Sequence, residues 1–363
     1  MSQRIKVAVI FGGKSAEHKV SLRSAKNIIA ALDKYKHEAV LIGIDNDGQW
    51  HYHGEAMKLL YEDDPSKIEM KAALPVILSQ NANQHSIVSN DGEVVNSLDV
   101  IFPVLHGTYG EDGAIQGFAK LANLPCVGPG ILGSAVGMDK DIMKRLLRDA
   151  GIGIADFVTV RSANPNEYNY DELSKRLGTT LFIKPANMGS SVGISKVQSA
   201  EEFEPAIDLA FRFDNKVIIE EQIIGREIEC SVLGNDQPKV SIPGEIIPVD
   251  GFYSYERKYL DEHGAALEIP AKLSAEQTKA IQEVALQTYI CLELEGMSRV
   301  DVFLKDNDEI IVNEVNTLPG FTEISMYPSL WEHSGISIEE LVDELIQLAI
   351  KKHQQLDSLS VKY

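Results

Sequence analysis

An apolar run near the start of the chain constrains the fold more than any other stretch. Residues 4–11, RIKVAVIF, end in consecutive apolar side chains, which is typical of a strand buried on both faces of a parallel sheet. A glycine turn follows at 12–15, helical spacing of apolar residues runs from Ser21 to Leu32, and a second strand is predicted at 39–44. This strand–helix–strand order predicts an open α/β sheet.

Length and charge narrow the class of protein. The 363 residues are too many for one ordinary core, so we expect two or three domains, and 44% hydrophobic with 24% charged residues is a globular composition. The net charge of −20 argues against nucleic-acid partners and anionic membrane surfaces, which need a basic field. A local anion site is still compatible with this charge, because helix N-termini and a few lysines suffice.

The cysteines and the N-terminus indicate a compartment. Cys126, Cys230 and Cys291 are far apart and odd in number, which favours buried thiols in a reducing cytoplasm over disulfides or a zinc site. The first residues predict a strand rather than a signal peptide, and no apolar run approaches membrane-spanning length. We therefore expect a cytoplasmic protein with no membrane partner.

Strands and helices alternate along the rest of the chain. Residues 55–97 are polar and irregular with short strand candidates, and we interpret them as an excursion from the sheet. The glycine- and proline-rich residues 125–137 mark a domain boundary. Further strands are predicted at 99–105, 156–160, 181–184 and 216–222, and helices at 138–149, 170–177, 274–292 and 338–352.

Two loops at the carboxyl ends of predicted strands carry charged side chains. Ligands of open α/β sheets bind at this edge, so Glu17 and His18 of FGGKSAEH can face one crevice with His106 and Glu111 of HGTYGEDG. Helix capping is the alternative for the acids, and we favour it for Asp112. Glu17 instead suits a substrate ammonium group. The first loop lacks the G-x-G-x-x-G pattern of dinucleotide-binding folds.

A lysine and a glycine-serine loop follow the next apolar strand. Lys184 ends that strand, where a charge needs a partner. In KPANMGSSVGISKV, the backbone N–H groups and the Ser190 and Ser191 hydroxyls suit phosphate oxygens, although the residue order of a P-loop is absent. A flexible hairpin tip is the alternative.

The strand at 216–222 ends in two acids. Backbone groups from Glu220 to Ile223 can face an adenine edge, and Glu227 can accept from ribose hydroxyls, with a solvated strand end as the alternative. The stretch 251–264, GFYSYERKYLDEHG, has the length and composition of an active-site lid.

The stretch at 296–320, GMSRVDVFLKDNDEIIVNEVNTLPG, predicts two strands joined by a tight polar turn. Arg299 and Asp301 share one strand face, as do Glu314 and Asn316. Two carboxylates, an amide and a guanidinium then converge on one patch. Oxygen ligands of this kind suit Mg²⁺ together with substrate phosphates. A surface hairpin with scattered ion pairs is the alternative.

The turn sets the register of this hairpin. If residues 306–307 form a two-residue turn, Arg299 lies opposite Glu314, and Asp301 lies diagonally from Glu314.

These pieces together resemble the D-alanine–D-alanine ligases of the ATP-grasp superfamily. The resemblance spans nearly the whole length and rests, in this order, on FGGKSAEHKVS, HGTYGEDG, MDK, KPANMGSSVGISKV, GREIEC, YERKYL, SRVDVF and NEVNTLPGFTEIS. It implies three α/β domains at about 1–127, 128–223 and 224–363, with ATP held between the central and C-terminal domains. It also implies a homodimer.

The resemblance implies the reaction as well. ATP phosphorylates the carboxylate of one D-alanine to an acyl phosphate, and the amine of a second D-alanine attacks it, for peptidoglycan synthesis. Phosphorylation supplies the leaving group that a carboxylate lacks. A ligase of the same fold with another acceptor, such as a D-alanine–D-lactate ligase, is the close alternative. Tyr259 in KYL favours an amine acceptor over this alternative. A non-catalytic nucleotide-binding module is the distant alternative.

Roles for individual residues follow from the resemblance. It implies that ATP contacts Lys140, Lys184, Ser191, Glu220, Glu221, Ile223 and Glu227. It places Mg²⁺ or Mn²⁺, as a pair of ions, on Asp301, Glu314 and Asn316. It implies that Glu17, Ser190 and Tyr259 bind the first substrate, and that Arg299 and the Gly320 N–H stabilise the tetrahedral intermediate. It places His106, Lys258, Ser325 and Met326 near the second substrate, with His106 as a candidate proton acceptor.

Overall fold

Three sheets follow one another along the described part of the chain. The structure, a computed structural model, describes residues 4–54, 64–65, 68, 70–79, 85–165, 167–248 and 265–360. The first sheet has the strand order β6-β5-β4-β3-β2-β1-β7, with β1 parallel to both β2 and β7. Its strands are β1 Ile5–Gly12, β2 His37–Ile44, β3 Trp50–Tyr52, β4 Leu74–Leu78, β5 Ser86–Ser89, β6 Val94–Ser97 and β7 Val100–Val104. The predicted open α/β sheet is confirmed.

The interpretation of residues 55–97 as an excursion from this sheet is wrong for the residues that the structure describes there. β4 pairs antiparallel with β3, and β5 and β6 continue outward from it. β6, VVNS, is four residues long with no buried side chain, so it lacks the apolar run that marked β1. β4, LPVIL, is apolar but short, and buries only Val76 and Leu78.

The second and third sheets are antiparallel in their described pairings. The second has the order β10-β9-β11-β8, and the third has β15-β14-β12-β16-β17 with β13 paired to β12. The second-sheet strands are β8 Phe157–Arg161, β9 Leu181–Pro185, β10 Ser195–Val197 and β11 Lys216–Glu221. The third-sheet strands are β12 Arg226–Gly234, β13 Lys239–Val240, β14 Gly244–Pro248, β15 Ala265–Glu268, β16 Gly296–Leu304 and β17 Ile310–Asn316.

Helices cover the sheets, and four of the described helices begin at a side chain that caps a backbone N–H group. The described helices are α1 His18–Ala31, α2 Ala114–Leu121, α3 Ile131–Met138, α4 Lys140–Asp149, α5 Tyr170–Leu177, α6 Ala200–Phe211, α7 Ala275–Cys291, α8 Met326–His333 and α9 Ile338–Asp357. Capping boxes begin α7 and α9, where Ser274 and Ser337 accept from backbone N–H groups three residues on. The segment 125–137 ends in the helix α3, so the structure adds a helix to the predicted boundary.

The C-terminal helices pack against the first sheet. Tyr327 and Trp331 of α8 and Leu345 of α9 belong to the same buried cluster as Phe102 of β7 and Leu22 of α1. This shared core places the loop after β17 beside α1. Within the described residues, no helix has the length and apolar character that crossing a membrane requires.

Candidate functional site

Polar side chains form two rows across three adjacent strands of the third sheet. Asp301 of β16 pairs with Glu229 of β12 on one side and with Glu314 of β17 on the other. Arg299 pairs likewise with Ser231 and Asn316. Residues directly opposite in neighbouring strands project to the same face, so both rows lie on one face. The predicted convergence of Arg299, Asp301, Glu314 and Asn316 is confirmed.

The predicted register of this hairpin is wrong. The turn has three residues rather than two, because the Lys305 N–H donates to the Glu309 carbonyl over 2.9 Å and Asp308 has a left-handed φ of 63°. A β-bulge between Asp301 and Val302 then inserts Asn313 as an extra residue on β17. The turn and the bulge each shift the pairing by one residue. Together they shift the pairing by two residues. Because side chains alternate with a period of two, the predicted residues of both strands still lie on the same face.

Arg299 is held by two carboxylates. Its Nε and Nη2 donate to the two oxygens of Asp301 at 2.7 Å each, and Nε lies 2.9 Å from Oε2 of Glu229. Burial opposes the charged form, but Asp301 and Glu229 raise the pKa of Arg299 well above its ordinary value. The guanidinium is therefore a fixed positive charge at this face. Sequence reasoning missed Glu229, whose partner lies 70 residues further along the chain.

The hairpin oxygens fit a hard divalent cation. The buried Oδ1 of Asn316 has no hydrogen-bond partner among the described residues, and it lies on the face of Asp301 and Glu314. An unpaired buried oxygen is costly unless a ligand completes it. Carboxylate and amide oxygens are ligands that Mg²⁺ accepts. The described part of the chain holds no cluster of three or more His, Cys, Asp or Glu side chains suited to a metal.

A cavity of about 490 Å³ opens between the second and third sheets. Its apolar walls include Phe182, Phe303 and Ile311. The predicted ATP-binding residues on its surface are Lys184, Ser191, Glu220, Glu221, Ile223 and Glu227. Glu314 also lines it, so the cavity and the polar hairpin face meet at this residue. The volume and the mixed lining are those of a small-molecule site.

Two lysines converge on Glu220 beneath the cavity. Lys184 Nζ donates to Oε2 over 2.6 Å, and Lys144 Nζ lies 3.1 Å from Oε1. Burial alone would raise the pKa of Glu220, but the two ammonium groups lower it to about 2. The alternative of a solvated strand end is wrong for Glu220, which is buried. Lys144 was not assigned a role from the sequence. Its position one turn after Lys140 on α4 indicates that both side chains lie on the same helix face.

Lys140 and Glu17 contact the glycine-serine loop between β9 and β10. Lys140 Nζ donates to the Met188 carbonyl over 2.7 Å and lies 3.8 Å from Glu314 Oε2. Ser190 Oγ donates to Glu17 Oε1. These contacts join the loop to the first sheet and to the hairpin.

The base of the loop is anchored from the second sheet. The Asn187 N–H and its Nδ2 both donate to Asp214, at 2.8 and 2.9 Å. The predicted residues Lys258 and Tyr259, with the lid at 251–264, lie outside the described residues.

Glu111 is a second buried carboxyl beside Glu17. Its Oε2 accepts from the Gly107 N–H over 2.6 Å and its Oε1 from the Leu318 N–H over 3.3 Å. A Cβ at Gly189 would lie 3.6 Å from Oε2 of Glu17 and 4.0 Å from Oε2 of Glu111, so the two carboxyls flank the loop. Burial and the Glu17 charge raise the pKa of Glu111 to about 8. The motif HGTYGEDG placed Glu111 in the crevice, but its protonation depends on neighbours distant in sequence.

Both ring nitrogens of His106 contact protein groups. Nδ1 lies 3.0 Å from the Leu318 carbonyl and Nε2 lies 3.3 Å from Ser24 Oγ. A carbonyl only accepts, so Nδ1 carries the proton and Nε2 accepts from Ser24. Burial lowers the pKa of His106 and favours this neutral form.

Two of the predicted second-substrate residues, Ser325 and Met326, lie at the start of α8. Ser325 Oγ accepts from the Thr322 N–H over 2.9 Å, and a Cβ at Gly320 would lie 2.9 Å from this oxygen. The Met326 side chain is buried against Ile246 and Leu330, so only its backbone can face a ligand. Free N–H groups of a helix's first turn favour an anion.

The three-sheet architecture, with a nucleotide-sized cavity between the second and third sheets, defines the ATP-grasp fold. A solved D-alanine–D-alanine ligase from Coxiella burnetii superposes with a TM-score of 0.86 at 39% identity, covering 98% of this chain and 97% of that one. The VanG D-Ala:D-Ser ligase from Enterococcus faecalis also gives 0.86, at 40% identity, covering 96% and 100%.

Sequence comparison identifies the family. The chain matches the family models D-ala D-ala ligase N-terminus over residues 6–129 and D-ala D-ala ligase C-terminus over 146–347. It is 53% identical over 353 residues to the D-alanine–D-alanine ligase of Oceanobacillus iheyensis, covering 96% of each chain. It is 50% identical over 353 residues to D-alanine–D-alanine ligase A of Escherichia coli strain K12, covering 97% of each. The protein belongs to the D-alanine–D-alanine ligase family.

Proposed function

We propose that this protein joins two D-alanine molecules to D-alanyl-D-alanine with conversion of ATP to ADP and phosphate, through a D-alanyl phosphate, for peptidoglycan precursors in a bacterial cytoplasm. The observation that carries the proposal is the position of Glu314, which lies both on the cavity wall and on the polar hairpin face. A nucleotide in the cavity then has its phosphates beside the hairpin. Family membership supports the choice of substrate.

ATP lies between the second and third sheets in this proposal. Phe182 and Ile311 pack against the base, and Glu227 accepts from the ribose hydroxyls. Lys140 and Lys184 contact the phosphates, and the Ser191 loop covers them. Asp301, Glu314 and Asn316 would hold Mg²⁺ or Mn²⁺, as a pair of ions, and these ions would neutralise charge on the phosphates.

The first D-alanine binds through its ammonium group to Glu17, which Ser190 orients from the loop. The family resemblance assigns Tyr259 to the same substrate. Its carboxylate attacks the terminal phosphate, since expelling oxide from a carboxylate is prohibitive and phosphate is a good leaving group. Arg299 lies beside this carboxylate as a permanent cation, because Asp301 and Glu229 hold it charged.

The second D-alanine binds near Ser325 and Met326, where the first turn of α8 attracts its carboxylate, with Lys258 and His106 nearby. Its amine attacks the acyl phosphate. Arg299 and the Gly320 N–H stabilise the tetrahedral oxyanion, and phosphate leaves. A ligase with another acceptor, such as D-lactate, is the second candidate. The D-Ala:D-Ser ligase with the same TM-score as the Coxiella enzyme supports such variation within this fold.

We also propose domains at 1–127, 128–223 and 224–363 and a homodimer. The three sheets fall within these three ranges in turn. The C-terminal helices contribute to the core of the first range.

The proposal is tested with purified protein, Mg-ATP and D-alanine, alone and with D-lactate, D-serine or L-alanine. We expect phosphate release that depends on D-alanine, and a product with the mass of D-alanyl-D-alanine. Absence of D-alanine-dependent phosphate would contradict the ligase function. A mixed product in preference to the dipeptide, when a second acceptor is present, would favour the second candidate.

The variant Glu314→Gln tests the metal assignment in the same assay. It keeps the shape of the side chain but removes its charge, so we expect turnover to fall by about 100-fold or more, as for other groups that neutralise transition-state charge. Glu309→Gln is the matched control, because Glu309 lies on the same hairpin, is exposed and forms an ion pair with Lys305 at 2.7 Å. A normal rate for Glu314→Gln at ordinary Mg²⁺ would show that the metal ligand is misassigned.

A further inference from the structure

The segment Leu318–Phe321 is held from both ends by the first sheet and its helix. The Leu318 carbonyl accepts from His106 Nδ1 over 3.0 Å, and the Leu318 N–H donates to Glu111 over 3.3 Å. At the other end the Phe321 N–H donates to Ser24 Oγ over 3.1 Å, and the Phe321 carbonyl accepts from Asn27 Nδ2 over 2.8 Å. Both backbone groups of each flanking residue are thus occupied.

Ser24 links these two ends. It accepts from the Phe321 N–H and donates to Nε2 of His106, whose Nδ1 side holds Leu318. Ser24 and His106 are fully or almost fully buried, so neither bond competes with water. Ser24 and Asn27 are three residues apart on α1 and therefore lie on one helix face.

The residues between the two ends have little freedom. Pro319 has a fixed φ and no N–H. A Cβ at Gly320 would lie 2.9 Å from Ser325 Oγ and 3.7 Å from Ser24 Oγ, so the segment passes closely between α1 and the start of α8. The Gly320 N–H is the one backbone donor of this segment that the clamp does not use.

We propose that Ser24, Asn27 and His106 are positioning residues that aim the Gly320 N–H at the oxyanion of the tetrahedral intermediate. This inference rests on the proposed ligase function. A hydrogen-bond donor stabilises an oxyanion best when it is already in place before the charge develops. If the donor has to move during the reaction, the free energy of that reorganisation reduces the stabilisation. His106 accordingly acts through hydrogen bonds to the Leu318 carbonyl and to Ser24, and its proton does not leave during the reaction.

Two variants test the clamp on the full-length protein. Asn27→Asp keeps the shape but replaces the donor with an oxygen that repels the Phe321 carbonyl. Ser24→Ala removes both bonds of the hydroxyl. We expect kcat to fall at least tenfold and the inhibition constant of a phosphinate dipeptide, a tetrahedral mimic bound with ATP, to rise by a similar factor. The KM for ATP should change less than twofold, because the nucleotide cavity is formed by the other two sheets.

The inhibition constant distinguishes a positioning role from a folding defect. A smaller fraction of folded protein lowers the apparent kcat, but it does not change the inhibition constant of the protein that is folded. Asn307→Asp is the matched control for Asn27→Asp, since Asn307 is exposed at the hairpin tip, and it should behave as wild type. Variants that lose stability or kcat while the inhibition constant keeps its wild-type value would overturn the proposal. Failure of the wild-type protein to ligate D-alanine is a separate result, which contradicts the proposed function.

Discussion

Glu111 is a carboxyl that keeps its proton to an unusually high pH. Burial and the Glu17 charge raise its pKa to about 8, whereas an unfolded chain releases the proton near the ordinary value of 4.5. Between these values the folded state holds a proton that the unfolded state has lost. The contribution of Glu111 to the free energy of unfolding is therefore fully present below about pH 4.5 and is lost as the pH rises toward 8. The loss is at most about 1.4 kcal/mol per pH unit.

The variant Glu111→Gln tests this at the residue scale. Glutamine cannot titrate, so the unfolding midpoint of the wild type should fall relative to the variant from pH 5 to 8 and then level off. Thermal unfolding of both proteins across this range measures the difference. A constant difference at all pH values would show that Glu111 is ionised in the folded protein.

The role of a single residue was predictable from sequence only where a charged side chain stands in an otherwise apolar strand. Lys184 ends an apolar strand and was predicted to need a partner, which is Glu220. Lys144 and Glu229 were not assigned roles, and Glu111 was placed in the crevice without its protonation being predicted. Their partners come from segments distant in the chain, and only the folded structure brings those charges together.

At the element scale, the hairpin shows what strand alternation can and cannot predict. The period of two correctly predicted which side chains share a face. It did not predict the three-residue turn or the bulge at Asn313, and these decide which residues are opposite. Asp301 therefore lies directly across from Glu314 rather than diagonally.

The glycine-serine loop depends on close packing at Gly193. This residue has a φ of 72°, and a Cβ there would lie 2.6 Å from the Phe213 ring and 2.9 Å from Pro185. Gly193→Ala should raise the KM for ATP about tenfold, because overpacking of this kind costs about 1–3 kcal/mol. Nucleotide binding and steady-state kinetics measure the change.

Two further variants separate the causes. Phe213→Ala in the Gly193→Ala background removes the ring contact and should recover part of the affinity. Gly178→Ala is the matched control, since its φ is 88° but nothing lies within 4 Å of the added Cβ. It should lower stability and leave the KM for ATP unchanged. An equal loss of ATP affinity in Gly178→Ala would contradict the packing explanation.

For the whole molecule, alternating strands and helices predicted an α/β protein, and the resemblance supplied the number of domains. The packing of α8 and α9 on the first sheet was not predictable, because their apolar faces do not specify which sheet they cover. This packing places the segment after β17 against α1 and so brings Gly320 beside Ser24. The first and last parts of the chain thus build one site together.

In the proposed reaction, the D-alanine carboxylate becomes an acyl phosphate at this site. The direct measurement uses D-alanine with ¹⁸O in both carboxylate oxygens, Mg-ATP and the purified protein, with mass analysis of the phosphate released. Ligation through the acyl phosphate transfers one ¹⁸O from D-alanine to each phosphate. We expect phosphate carrying one ¹⁸O in equal amount to the dipeptide formed. Unlabelled phosphate accompanying the dipeptide would exclude the acyl phosphate intermediate.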